Sequence, residues 1–263
     1  MGSLDGRTAL VFGVATRHSI AWAVAEHLHR EGARVGLVYR RPETARRIRA
    51  LVEAIDAPLA IACDVRDDAA LAAAMARAGE AFDGRLDIVV HALANAPAAA
   101  LMNRFTETTR PDFQAALDVS AYSLVAIARA AEPLMRGGGS IVTLTAIGSR
   151  RVIPGYNVMG VAKAALEASV RALAVDLGPS GIRVNAVSAG AVRTVAAMGV
   201  PGFKQLYRQG QALAPMRRGL TSRDVAAAVA WLAGDGSGAV TGQVIEVDHG
   251  WSILALTGSP EAG

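Results

Sequence analysis

Seven short apolar runs, interleaved with segments of helical periodicity, constrain this chain more than any other feature. Thr8 to Gly13 (TALVFG), Arg34 to Tyr39, Leu59 to Cys63, Leu86 to His91 (LDIVVH), Ser140 to Thr145, Arg183 to Ser188 (RVNAVS) and Val244 to Val247 read as strands. Helical spacing occupies Ile20 to Glu31, Thr44 to Ala54, Asp67 to Phe82, Pro111 to Met135, Tyr156 to Leu177 and, behind a Thr221/Ser222 cap signal, Val225 to Leu232. Strands that are continuous apolar runs must be buried on both faces, which a parallel sheet between two helical layers provides. A chain of 263 residues can bury such a core in one domain. The expected fold is an α/β, single-domain, Rossmann-type doubly wound parallel sheet over residues 1–263, with helices on both faces.

Composition excludes several function classes. The chain is 52% apolar and 19% charged, as in an ordered globular protein. No apolar run approaches the roughly 20 residues a membrane-crossing helix needs. MGSLDGRTALVFG leads into the first strand with no cleavable signal pattern. A cytoplasmic protein with no membrane association is the expectation. Cys63 is the only cysteine and reads as a small apolar packer, with no internal disulfide available to it. His18, His27, His29, His91 and His249 lack metal-ligand spacing, so no metal is expected. The net charge is +4, but apart from RRPETARRIR at 40–49 the arginines are dispersed, and no aromatic stacking motif accompanies them. This reads as solvated surface and not as a nucleic-acid interface.

In a doubly wound sheet, ligands bind beyond the carboxyl ends of the strands, where strand order reverses. The first such end is GVATRHSIA, Gly13 to Ala21. Gly13 allows close backbone approach, Ser19 can cap the following helix, and the helix start at Ile20 offers amides to a pyrophosphate. A plain strand-to-helix turn would look much the same. After strand two stand Tyr39, Arg40 and Arg41, with no acid before Glu43. A ribose 2'-hydroxyl calls for a carboxylate at this point and a 2'-phosphate calls for arginine, so Arg40 and Arg41 favour NADPH, with NADH as the alternative. Two exposed arginines opening a basic helix are the competing reading. After strand three, Asp64 and Val65 can hold an adenine between a carboxylate and an aliphatic wall, or Asp64 can cap the next helix.

The stretch from Ser140 to Leu177 carries the candidate chemistry. Tyr156 and Lys163 stand seven positions apart on one helix. At about 3.6 residues per turn their side chains point in nearly the same direction. A phenol and an ammonium so placed can donate to an oxygen on which negative charge develops.

GVATRHSIA, CDV at 63–65, HALANAP at 91–97, DVSAYS at 118–123, IPGYNVMGVAKAALEASVR at 153–171 and GIRVNAVSAGAVRT at 181–194 together resemble the short-chain dehydrogenase/reductase superfamily. Within it, they resemble the divergent branch of enoyl-acyl-carrier-protein reductases of fatty-acid synthesis. Ordinary short-chain dehydrogenases have tyrosine four positions before the lysine, where this chain has Met159. Tyr156 matches the spacing of the enoyl reductases.

The resemblance implies hydride transfer from NAD(P)H to the β-carbon of a trans-2-enoyl thioester. Tyr156 would donate to the enolate oxygen, and Lys163 would bind the nicotinamide ribose. Gly13, Ser19, Ile20, Arg40, Asp64, Val65, Leu93 and Lys163 would hold the cofactor, with Val192 and Thr194 near its nicotinamide or phosphates. Ala96 would contact the acyl substrate, and Tyr122 and Ser123 would support the site from a neighbouring helix. The resemblance further implies a homotetramer, with Trp251 at a subunit interface, and a mobile lid at about 194–215. Acyl carrier protein would dock on basic residues there, for which the chain offers Lys204, Arg208, Arg217 and Arg218 but has Pro201 and Gln205 at positions that are often basic. A coenzyme A thioester is the alternative substrate form.

One departure stands out. The family has a second tyrosine ten positions before the first, lining the acyl pocket, and here that position is Ala146. Thr145 cannot substitute, because successive strand residues face opposite ways. Either Ala146 enlarges the pocket for a different enoyl substrate, or the chain is a repurposed dehydrogenase acting on a carbonyl, or a weakly active dinucleotide-binding protein.

Overall fold

The computed structural model describes residues 2–199 and 202–255. Seven strands form one sheet: β1 (Thr8–Phe12), β2 (Arg34–Tyr39), β3 (Ala60–Ala62), β4 (Ile88–His91), β5 (Gly139–Thr145), β6 (Ile182–Ala189) and β7 (Val244–Val247). Their order is β3-β2-β1-β4-β5-β6-β7 and every pairing is parallel. All seven expected strands are present, with ends moved by one or two residues. The helices are α1 (Ile20–Arg30), α2 (Ala45–Ala54), α3 (Asp68–Ala81), α4 (Ala98–Met102), α5 (Arg110–Leu117), α6 (Ser123–Ala131), α7 (Asn157–Leu177), α8 (Val195–Met198), α9 (Phe203–Leu213) and α10 (Ser222–Ala233).

Strand alternation sorts the apolar side chains into two cores. Leu10, Phe12, Val89, Ile141 and Val184 pack with Leu71 and Met75 of α3, Leu124 and Ile127 of α6, and Leu166 and Val170 of α7. Ala9, Val11, Leu37, Val90 and Val187 pack on the other face with Trp22 and Leu28 of α1, Ile48 of α2, and Val225 and Val229 of α10. Each fully buried Leu, Ile or Phe contributes roughly 1.5–3 kcal/mol, so the sheet is held rigidly from both sides. Helix starts are fixed by side chains: Ser19 accepts from Trp22 N, Asp67 from Ala69 N and Ala70 N, and Thr221 and Asp224 form a capping box.

The N-terminal ends of β1 and β4 are tied by Asp87, which accepts from Thr8 N at 2.9 Å and pairs with Arg85 at 2.7 Å. Burial works against its charge, but these partners outweigh it and its pKa lies below the ordinary carboxylate value. The opposite, carboxyl ends of the strands are thereby left to carry the loops that bind.

Two sequence expectations need amendment. The helix read from Pro111 to Met135 is interrupted: α5 and α6 are joined by a π-helical turn over Asp118–Tyr122, and a 3-10 turn closes the segment at Glu132–Leu134. The segment after Thr194, where the resemblance implies a mobile lid, contains helices α8 and α9. Pro201 lies outside the described residues.

Candidate active site

The strand order reverses between β1 and β4, so the loops after these strands open a crevice at the sheet's carboxyl edge. Gly13, directly after β1, has φ +94°, and a Cβ there would lie 2.2 Å from Ala92 O. Only glycine lets the two loops approach so closely. The crevice is lined by Gly13, Arg40, Asp64, Val65, Leu93 and Val119. Five of these were expected from the sequence; Val119 was not, because the π turn that carries it there cannot be read from apolar periodicity. Ser19 caps α1 beside this loop, and Ile20 opens the helix.

The two readings of Asp64 are resolved: Asp67 caps α3, while Asp64 faces the crevice. Arg66 bonds both Asp64 carboxylate oxygens, at 2.9 and 2.5 Å, and Arg40 Nε lies 3.7 Å away. The Arg66 hydrogen bonds, chiefly, hold the Asp64 pKa down to about 2. A crevice built on glycine, with an aliphatic wall and a lasting carboxylate, suits an adenosine, so these residues fit a dinucleotide.

Past the crevice, the loop after β4 meets α7. Lys163 is 4% exposed and donates to Leu144 O at 2.8 Å and to Leu93 O at 3.3 Å. Burial lowers its pKa to about 8, with Glu167 opposing the shift, so the ammonium is charged at neutral pH. Two of its three protons are committed to backbone carbonyls and one remains for a ligand.

Tyr156 stands immediately before α7, and its ring lies on Gly148, where a Cβ would meet Tyr156 Cδ1 at 2.4 Å. Burial pushes the phenol pKa up to about 12, which keeps it a proton donor. Tyr156 and Ala96 share one apolar cluster with Ala100, Ala116, Val158, Met159 and Ala162. Ala96, the expected acyl contact, and the phenol thus border the same apolar cluster.

The remaining expected residues fall around this centre. Ala146 follows β5 directly and leads into a 3-10 turn. The neighbouring Thr145 is unavailable for chemistry, because its hydroxyl bonds the buried Glu167 at 2.7 Å. Val192 bridges to Leu220, and Thr194 caps α8 by accepting from Ala197 N. Ser123 is buried on His91 at 2.8 Å, whereas Tyr122 is exposed.

Sequence reading missed Gly148, Ser120 and Glu167. Ser120 Oγ accepts from Asn95 N at 2.9 Å and donates to Asn95 O at 3.1 Å, fixing the loop that carries Leu93 and Ala96. The glycine after strand five was a signal; the burial of Glu167 and the turn under Ser120 left none.

A buried ammonium and a protonated phenol beside a dinucleotide crevice define an oxidoreductase of the short-chain dehydrogenase type. The family model described as enoyl-(acyl carrier protein) reductase matches residues 13–252. The enoyl-(acyl-carrier-protein) reductase (NADH) of Synechocystis is 43% identical over 259 residues, covering 97% of this chain and all of that protein. Its Escherichia coli counterpart is 39% identical over 257 residues, covering 97% and 98%. Among solved structures, the Anaplasma phagocytophilum reductase in complex with NAD superposes with TM-score 0.94 at 39% identity, covering 98% of each chain. The Bacillus cereus reductase with NADP+ and indole naphthyridinone gives 0.95 at 43% identity, covering 97% of this chain and all of that one. The chain belongs to the enoyl-acyl-carrier-protein reductase family.

These relatives correct the expectation of NADPH. The Synechocystis, Nostoc, Aquifex aeolicus and Escherichia coli proteins are all named for NADH. The fold supplies a physical reason: Arg40 lies against the Asp64 carboxylate and is partly neutralised, and Arg41 is exposed. Charge alone, read without its partner, suggested the phosphate.

Proposed function

We infer that this protein reduces the carbon–carbon double bond of a trans-2-enoyl thioester with NADH in acyl-chain synthesis. The observation that supports the reading is that Lys163 donates to the carbonyl of Leu93, which lines the crevice, while Tyr156 and Ala96 pack on one apolar cluster that includes Ala162 next to Lys163, on a chain of this family. Bound NADH would supply the hydride. Ala96 and its apolar neighbours receive the acyl chain with the β-carbon turned towards the crevice. As hydride reaches that carbon, the electron pair of the double bond moves to the thioester oxygen. Tyr156 O–H would hydrogen-bond that enolate oxygen and keep its own proton, and water would give one proton to the α-carbon as the thioester carbonyl reforms, leaving hydroxide to the solvent. Lys163 binds the ribose with its remaining proton and adds positive charge beside the same oxygen. Gly13, Ser19, Ile20, Asp64, Val65, Leu93, Val192 and Thr194 hold the dinucleotide. Helices α8 and α9, with the segment to about residue 215, act as the lid that excludes water.

Lys204, Arg208, Arg217 and Arg218 are all exposed beside this lid and suit an acidic carrier protein. The molecule acts as a homotetramer on this reading, with Ala146 widening the acyl pocket. Mixing the protein with NADH and crotonyl-CoA, a longer enoyl thioester or an enoyl carrier protein, and following absorbance of the reduced nicotinamide, tests the proposal. Oxidation of NADH with every enoyl substrate and not with acetoacetyl-CoA is expected, faster than with NADPH. Oxidation by acetoacetyl-CoA alone would replace enoyl reduction with carbonyl reduction.

A further inference from the structure

Glu167 lies one helical turn beyond Lys163 on α7, and the two are 5% and 4% exposed. Its Oε1 accepts from Thr145 Oγ1 at 2.7 Å, which fixes the carboxylate towards the end of β5, the strand whose Leu144 carbonyl takes Lys163. The reaction as derived uses Lys163 and gives Glu167 no part. A carboxylate is kept in an interior only where hydrogen bonds and a nearby cation compensate it, and the i, i+4 step sets Lys163 one turn away on the same helix face, beyond direct ion-pair distance. Resting on the reading of Lys163 given above, we propose that Glu167, oriented by Thr145, is a positioning residue that keeps the Lys163 ammonium charged and directed at the nicotinamide ribose.

The other groups facing Lys163 do not provide this charge. His91 of β4 is fully buried between Thr143 Oγ1 at 2.7 Å and Ser123 Oγ at 2.8 Å, and burial together with Lys163 keeps it neutral, with a pKa of about 3. Tyr156 is neutral at any working pH. On the elements packed against α7, Arg150 pairs with Glu246, and Asp118 of the π turn acts on Arg66. Glu167 is the charged side chain that favours the ammonium form of Lys163, alongside the Leu93 and Leu144 carbonyls that accept from it.

Lys163 and Lys204 are the only lysines in the sequence, so lysine labelled with carbon-13 at Cε gives two signals, and Lys204→Arg assigns the exposed one. In the parent protein the Lys163 signal should titrate near pH 8. Glu167→Gln keeps the volume and the Thr145 contact but removes the charge, and should lower that midpoint by about one unit. At pH 8 the charged fraction falls from about one half to about one tenth, which weakens NADH binding about fivefold. Thr145→Val, which releases the carboxylate, should shift it in the same direction and serves if Glu167→Gln does not fold. An unmoved midpoint in either folded variant overturns the proposal whether or not the protein reduces enoyl thioesters. A lowered midpoint in a protein inactive on enoyl thioesters would support it and count against the functional reading alone.

Discussion

At the scale of single residues, the site depends on two protonation states, of which burial secures the phenol of Tyr156 and works against the ammonium of Lys163. A phenol that stabilises a developing oxyanion must keep its proton, and Tyr156 does, with its pKa near 12. Tyr156→Phe should lower kcat by about 10²–10³-fold, the usual loss for one such donor, with the NADH Kd unchanged in a fluorescence titration. Gly148 controls the same step by a different route. An added Cβ would sit 2.4 Å from Cδ1 and 2.6 Å from Cε1 of Tyr156, so Gly148→Ala must move the ring. Its kcat should fall towards that of Tyr156→Phe while NADH binding holds; an unaltered kcat would show that ring placement is not limiting. Tyr156 and Lys163 were legible because their chemistry and helical spacing are local properties of the sequence. Gly148 and Glu167 were not, since one is required by a ring that folding brings onto it and the other is distinguished from ordinary helix acids only by burial. Arg40 was misread for the same reason: its partner Asp64 comes from the neighbouring strand end.

At the scale of elements, the π turn between α5 and α6 gathers two functions into five residues and sets a third just after them. Val119 faces the crevice, Ser120 clasps Asn95, and Ser123, one residue on, bonds His91. A π turn inserts an extra residue into a helix and so redirects the side chains that follow. Ser120→Ala would leave the Asn95 N–H without its partner, at a cost of about 1–3 kcal/mol. That corresponds to a melting temperature lower by several degrees for a chain of this size. Because Asn95 adjoins Ala96, the KM for the enoyl thioester should rise more than the Kd for NADH. Equal changes in both would assign Ser120 a purely structural role. Apolar periodicity predicted one continuous helix here, and it could do no more, because the added residue alters geometry without changing which residues are apolar.

At the scale of the whole molecule, the alternation of apolar runs and helices was enough to give seven parallel strands between two helical layers. That sheet also sets how the protein responds to acid. His91 sits on β4 at the centre of the sheet, uncharged, with its pKa depressed to about 3. In the unfolded chain a histidine titrates near 6.5. The unfolded state therefore binds the extra proton first, and stability is lost as pH falls from about 6.5 towards 3. His27, half-buried with its pKa lowered by burial and by Arg30, adds a smaller effect of the same sign. Asp87 adds to the loss only once pH reaches the carboxylate range, because its depressed pKa gives stability above that range. The window from about pH 6.5 to 4.5 thus isolates the histidines, and one fully buried, uncharged histidine should cost roughly 2–3 kcal/mol across it. Urea unfolding at pH 7.0, 6.0 and 5.0 should show the midpoint falling through this range. His91→Gln should be less stable at pH 7 but nearly flat across the same interval. A parent midpoint that is flat between pH 7 and 5 would place the imidazole in contact with solvent and remove it from the sealed centre of the sheet.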